Sequence, residues 1–533
     1  MPKPDVLLGE DSRTGMLRGF ESVGRLMALT LGPIGGNIAN ERDGTREIEI
    51  LRDAATAARR VIEIPNVREN PGAMLMRHIV WNVREQVGDG SATAAVIAHA
   101  LAKEMQRVIA AGANAMIVKR GVERGLRAAV KALDEMAMPL EGEENIAAVA
   151  TAAVGDAEIG KVLGEIFDVL GPHASVVIVP YVATDHDRVY REGARFRGGY
   201  VSSYLVNDET RRMAVLEDVH IAVADMNFAT AESAANLLEQ VVAAGGKNLF
   251  LICKLCSDKA IGVFAANNDG KKIFSSAATL KPIGDARRGT FENIAILTGA
   301  QPLNDKMGMA PEEITIHDLG HADRVVVEKE AFTIVGGKGD PGARQKRIQE
   351  LRERVRKAHD PEERDTAREL LTSFSEGVAE LRIGALTGQE RKELTEIAEQ
   401  AIKTVTAGME SGVVPGGGAA YLACIPAVNA LEATGDEAFG IQIVARVLEE
   451  PLRRIAANSD VHPPLALAEA QARGVGYGLD ARTGEIVNML EEGIVDPAIV
   501  ARRALEHGVS GALMLLTTDA LVIHRKPKEN VEP

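Results

Sequence analysis

Apolar residues recur at helical spacing through the first part of the chain. Ala94, Ile97, Ala98, Leu101 and Met105 follow i, i+3, i+4 steps, as do Val118, Val122, Leu126, Ala129 and Leu133. Gly112-Ala113-Asn114-Ala115 separates these two predicted helices. Around Pro139 the pattern gives way to a short acidic linker at 141–144. From about 175 to 335 the apolar runs are short and β-branched: Val176–Val179, His220–Ala224, Leu249–Ile252 and Arg324–Val327 read as strands. Helical stretches such as 231–243 alternate with them, which predicts an α/β domain. Gly336–Gly342 is a turn-rich break. Ile348, Leu351 and Val355 then mark a charged helix, His359-Asp360-Pro361 a turn, and Ala367, Leu370 and Phe374 a returning helix. Beyond Gly377 a mixed region leads to Gly416-Gly417-Gly418, and the remainder is again helical. The order predicts an α/β domain inserted between two helical halves.

Composition narrows the function classes. A chain of 533 residues corresponds to three or four domains of roughly 150 residues each. A formal net charge of −15 argues against general affinity for nucleic acid or anionic membrane. Aromatics are only 3% of residues and Trp81 is the single tryptophan, so the cores must be aliphatic. Charged residues occupy the start (Lys3, Asp5, Glu10, Asp11) and no 18-residue apolar run occurs. Cys253, Cys256 and Cys424 cannot form a disulfide framework. These features predict a soluble cytoplasmic protein.

Several glycine-rich turns could carry chemistry. Gly88-Asp89-Gly90-Ser91-Ala92-Thr93 opens into an alanine-rich helix, where backbone N–H groups and the helix N-terminus favour an anion. Asp89 could hold Mg²⁺, which prefers a carboxylate together with phosphate oxygens; taken alone, the segment is equally an ordinary capped loop. Thr30-Leu31-Gly32-Pro33 lacks the Lys-Ser/Thr ending of a Walker loop. Cys253-Lys254-Leu255-Cys256 has redox or zinc spacing, but no second Cys or His pair stands nearby, so two ordinary thiols at a strand end is the simpler reading.

The combination is far more specific than any member. Thr30-Leu31-Gly32-Pro33, Gly88-Asp89-Gly90, Gly412-Val413-Val414-Pro415-Gly416-Gly417-Gly418, Asn488-Met489 with Gly493-Ile494-Val495-Asp496-Pro497, and Leu515–Ala520 occur in that order. Together they resemble the group I, GroEL-like chaperonins from residue 5 to 523. The resemblance implies a multidomain α+β chaperonin fold: a helical equatorial domain (1–135 and 411–533), a small hinge domain (136–191 and 379–410) and an inserted α/β apical domain (192–378). It also implies an ATPase that uses ATP and Mg²⁺, with K⁺ as an optional companion. The partners it implies are non-native polypeptides, further copies in stacked seven-membered rings, and a co-chaperonin lid.

Carried over residue by residue, the resemblance places Thr30, Leu31, Gly32 and Pro33 around the phosphates and base. Arg52 stands where the family has Lys, and Asp53 matches a carboxylate near the γ-phosphate. Asp89 matches the magnesium ligand. Gly90, Ser91 and Thr93 match the phosphate cradle, with Ala92 replacing a hydroxyl residue. Gly417 matches a nucleotide-contacting glycine. Asp480, Ala481 and Arg482 occupy a base-contacting segment, and Asp496 matches a ribose-binding carboxylate. Tyr200, Tyr204, Leu205, Leu238, Ile261, Val263 and Phe264 match an apolar client groove, the alternative being that they are simply core.

Two departures stand out. Counted back without a gap from Gly416, the position of the water-activating Asp holds Gln400. An amide cannot accept the proton, though it can orient water. Slow hydrolysis is therefore expected, the alternatives being near-normal turnover, with Glu396 four residues earlier substituting, and binding without hydrolysis. An Arg–Glu pair that locks apical to hinge domain in the family falls on Gly198 and Gly388. These changes support a second reading: a specialised paralogue with weak or no ATPase, serving as an assembly scaffold for one client enzyme.

Overall fold

A computed structural model describes residues 5–41, 48–51, 53–172, 174–181, 183–208, 211–270, 273–304, 310–358, 360–375 and 377–523. Arg52 and the turn residue His359 lie outside the described residues. The chain divides into two compact units, 1–168 with 397–533, and 169–396.

The first unit is helical. Its central helix, Ser91–Ala110, buries Ala94, Ile97, Ala98, Leu101 and Met105, as the periodicity predicts, and Ala95 besides. Asn70–Val87 and Ala498–Leu516 pack against it. Small residues let these helices come close: a Cβ on Gly508 would fall 2.8 Å from the Ala94 carbonyl oxygen. The next helix, Ala115–Met136, begins where Asn114 caps it by accepting from the Met116 and Ile117 N–H groups. The N-terminal strand Asp5–Leu8 pairs antiparallel with Ala520–Ile523. A second short pair, Val413–Pro415 with Val495–Pro497, joins two glycine-rich segments.

The second unit holds a seven-stranded sheet in which Ala214–Phe228 pairs with both Gly320–Val327 and Asn248–Cys256. Asn248–Cys256 runs parallel to both of its neighbours, Ala214–Phe228 and Phe274–Leu280. Parallel neighbours need crossover connections, and helices Ala231–Ala243 and Asp258–Asp269 supply them. All four strands expected between 175 and 335 form. The expected break at Gly336–Gly342 is narrower than predicted, since the strand Ala331–Gly337 runs into it and the helix Pro341–Lys357 starts within it. A separate three-stranded sheet places Val378–Ile383 between Ser175–Pro180 and His186–Arg191. The segments expected to form a hinge are shared between the units: helix Glu143–Val154 falls in the first, this small sheet in the second.

Candidate functional site

Helix Asn70–Val87 ends at Gly88 in the left-handed conformation (φ +81°), and Gly90 repeats it (φ +84°) before Ser91 starts the next helix. Two successive reversals around Asp89 require glycine on both sides. Gly90 caps the helix without a side chain, so the N–H groups of its first turn keep no side-chain acceptor. The Ser91 hydroxyl is buried and donates to the Val80 carbonyl at 3.1 Å, which leaves only its backbone N–H for a ligand. Ala92 and Thr93 are half-buried beside it.

The other glycine segments converge on this loop. Gly417 (φ +61°) and Gly418 (φ +84°) turn the chain into helix Ala419–Asn429, again without a side-chain cap. Asp496 lies opposite Val414 in the short strand pair. An apolar cluster joins Leu31, Val96, Leu479 and Ala481, with Ala92 packed against it, so three separated motifs share one floor. The Thr30–Pro33 segment is held from below: Asn458 Nδ2 donates to the Ala28 and Leu31 carbonyls at 3.0 and 2.8 Å. Thr30 donates its hydroxyl to Met27, Gly32 turns with φ +93°, and Pro33 is exposed. Asp480 accepts from the Arg482 N–H and the Thr483 hydroxyl, which shapes a hairpin turn.

Electrostatics mark the centre. Asp89 keeps an exposed surface, yet the protein packed around it raises its carboxyl above the ordinary range. The Gly90 N–H at 2.6 Å pulls it down, and the Asp53 charge raises it again. Asp496 is pushed up to about 7, first by burial and then by Asp89, against a hydrogen bond from Gly417. Asp53 caps helix Ala54–Arg60, accepting from the Thr56 N–H at 2.7 Å, and pairs with Arg84. On helix Gly388–Ser411, the Gln400 carbonyl abuts the loop: a Cβ on Gly88 would fall 2.9 Å from it.

The donors fit a polyphosphate carried with Mg²⁺. Two uncapped helix N-termini offer N–H groups to anions, and the repelling carboxylates of Asp89 and Asp496 offer charge to a cation. Among the described residues no three metal-ligating side chains converge, so a protein-only metal cage is not what is built. Mg²⁺ bound by one carboxylate and phosphate oxygens needs no such cage.

The model of the TCP-1/cpn60 chaperonin family matches residues 23–526. The chain belongs to that family. Chaperonins bind ATP and act on non-native proteins as ring oligomers. Among solved structures, the chaperonin gp146 from the Pseudomonas aeruginosa bacteriophage EL, crystallised in the presence of ATP-BeFx, matches with a TM-score of 0.70. It is 16% identical, and the match covers 98% of this chain and 99% of that one. The multidomain α+β chaperonin fold expected from the motifs is thus the fold observed.

The expected client groove is corrected in part. Leu205, Leu238 and Phe264 are 0%, 4% and 1% exposed, because they fill the core between the sheet and its two crossover helices. Tyr200 packs against the sheet's other core, and Val263 packs half-buried on the first. Ile261 is half-buried, while Tyr204 is 77% exposed. Leu255 and Ile283, which the motif comparison missed, are 56% and 82% exposed. Gly198 has a physical reason: a Cβ there would sit 2.5 Å from the Thr279 carbonyl oxygen across the sheet. No such crowding occurs at Gly388. Cys253 is buried and Cys256 half-buried at the strand end, both free thiols. No helix among the described residues is long and apolar enough to cross a membrane.

Proposed function

We propose that this chaperonin subunit binds ATP with Mg²⁺ at the Gly88–Thr93 loop and hydrolyses it slowly to drive capture and release of non-native polypeptides. The convergence of Asp53, Asp89 and Asp496 with two glycine-capped helix N-termini carries the reading. Asp89 would hold the metal, and Ser91, Ala92 and Thr93 would offer N–H groups to the phosphates, with Gly90, whose own N–H is spent on Asp89, shaping the cradle. Gly417 and Asp496 would take the ribose side; Thr30–Pro33 and Asp480–Arg482 would frame the base. Bound Mg²⁺ supplies charge neutralisation to the phosphates. Gln400 would orient the attacking water without accepting its proton, with Asp53 beside the γ-phosphate. Client capture would fall to the second unit, acting as the apical domain through Tyr204 and its apolar neighbours. Stacked seven-membered rings, a hinge domain, a co-chaperonin lid and a cytoplasmic setting complete the proposal.

The scaffold reading, with binding and little or no hydrolysis, draws on Gln400 and on the core position of three of the expected client residues. Calorimetric ATP titration and steady-state phosphate release test both. Wild type should bind ATP only with Mg²⁺ and release phosphate slowly, and Asp89→Ala should lose binding while staying folded. Undiminished affinity in that variant would remove Asp89 from the site; binding without phosphate release would favour the scaffold.

A further inference from the structure

One cationic side chain in the first unit ties together the parts of the proposed nucleotide site, and no motif pointed to it. Arg84 lies one turn before the Gly88 reversal, and its carbonyl accepts the Gly88 N–H at 2.9 Å. Its Nη1 donates to Asp53 Oδ2 at 2.5 Å and to the Thr56 hydroxyl oxygen at 2.6 Å. The guanidinium stands 5.8 Å from the Trp81 ring centre, with Arg59 at 5.4 Å from the same ring. Aromatic contact and partial burial fix its place: the side chain is only 15% exposed.

The distribution of hydrogen bonds on Asp53 is asymmetric. Oδ2 accepts from the Thr56 N–H, the Thr56 hydroxyl and Arg84. No hydrogen bond to Oδ1 is made among the described residues, and the side chain is 37% exposed. Three donors on one oxygen lock the carboxylate plane, and the other oxygen stays available to a water or ligand. A charged, planar donor on an aromatic platform suits that task better than a flexible ammonium.

We propose that Arg84 is a positioning residue for ATP turnover: it aims Asp53 and couples that carboxylate to the Gly88 turn, with Trp81 as its platform. The inference rests on the nucleotide site proposed above. With Gln400 in place of a carboxylate, Asp53 is the carboxylate beside the proposed γ-phosphate position that three donors already aim, so turnover should depend on its orientation more than binding does.

The full-length assembled protein provides the test. Arg84→Gln should lower turnover about 10- to 100-fold, the scale of misplacing a reactive group by about an ångström. Affinity for a non-hydrolysable ATP analogue with Mg²⁺ should stay within about threefold, since a positioning residue affects kcat rather than binding. Arg84→Lys should recover part of the rate. In an Asp53→Asn background, Arg84→Gln should cost less than about twofold more, because two residues acting as a unit are not additive. As Trp81 is the only tryptophan, its emission should shift on adding the analogue in wild type and shift less in Arg84→Gln. Undiminished turnover in Arg84→Gln, equal loss of affinity and rate, or full additivity with Asp53→Asn would each overturn the role of Arg84. If Arg84→Gln fails to fold, a fully active Arg84→Lys would overturn the aiming role and a partly active one would support it. A wild type that binds the analogue but turns over no ATP also overturns it, whereas a wild type that binds no nucleotide overturns the site itself.

Discussion

In the first unit the candidate site is made by backbone: Gly88, Gly90, Gly417 and Gly418 hold left-handed angles that expose N–H groups at two helix starts. In the second unit the expected binding face was to be made by apolar side chains, and Leu205, Leu238 and Phe264 went into the core. A single glycine of this kind is as readily an ordinary helix cap, but several of them converging on one loop, as Gly88, Gly90, Gly417 and Gly418 do, restrict what the segment can be. An apolar residue serves a core as readily as a surface. Matching by type therefore led to one converging candidate site in the first unit and to a dispersed set of residues in the second.

The comparison breaks most visibly at Gln400, the one predicted catalytic side chain placed by counting rather than by motif. Gln400→Asp should raise steady-state turnover, because a general base contributes about 10²–10⁴-fold where proton transfer limits the rate. ATP affinity should not tighten. Glu396→Ala is the control, and loss of the residual activity there would mean Glu396 already substitutes. Fast wild-type hydrolysis unchanged by both variants would mean the count through the hinge segment is out of register.

Two substitutions sharpen the contrast in the second unit. Phe264→Ala should destabilise it by about 3–5 kcal/mol through the cavity left in a closed core, read as a lowered denaturant midpoint. Tyr204→Ser should leave that midpoint within about 0.5 kcal/mol, yet weaken capture of an unfolded client about tenfold, as loss of an exposed aromatic anchor does. Equal effects of both on folding would erase the distinction between core and face.

The smallest effect returns to the first unit. His99 is pushed below its ordinary value of 6.5, first by burial and then by Lys103 and Arg25, with Glu21 opposing. The folded state thus binds this proton less readily than the unfolded chain. Its stability contribution is whole above pH 6.5 and falls as pH drops below that value. The stability difference between wild type and His99→Gln should shrink or reverse over that window in urea titrations at stepped pH. A pH-independent difference would show that His99 titrates as it does unfolded.

How much was legible follows from the same physics. Helices with small-residue faces, such as Ser91–Ala110, and β-branched strands such as Ser175–Pro180 were readable from the apolar pattern alone. The convergence of Asp89 and Asp496, 407 positions apart by their numbers (496 − 89), was readable only through the chaperonin motifs. Arg84, Asn458 and the exposed Leu255 and Ile283 were not readable. Their burial, exposure and hydrogen bonds are set by the tertiary fold, and each sits in sequence that looks like ordinary helix, strand end or loop. The separate hinge was likewise only a family expectation, and its segments fall in two different compact units.

The pairing of Asp5–Leu8 with Ala520–Ile523 has a consequence for synthesis on the ribosome. Residues 169–396 form one uninterrupted stretch and can close their core as soon as they emerge. The first unit cannot: helix Ser91–Ala110 leaves its apolar flank uncovered until Ala498–Leu516 arrives. Asp89 likewise waits for Gly417 and Asp496 before the proposed nucleotide site is complete. A truncated chain would therefore carry a finished second unit and an unfinished first one, and ATP, if it binds at the proposed site, would stabilise only subunits translated nearly to their end.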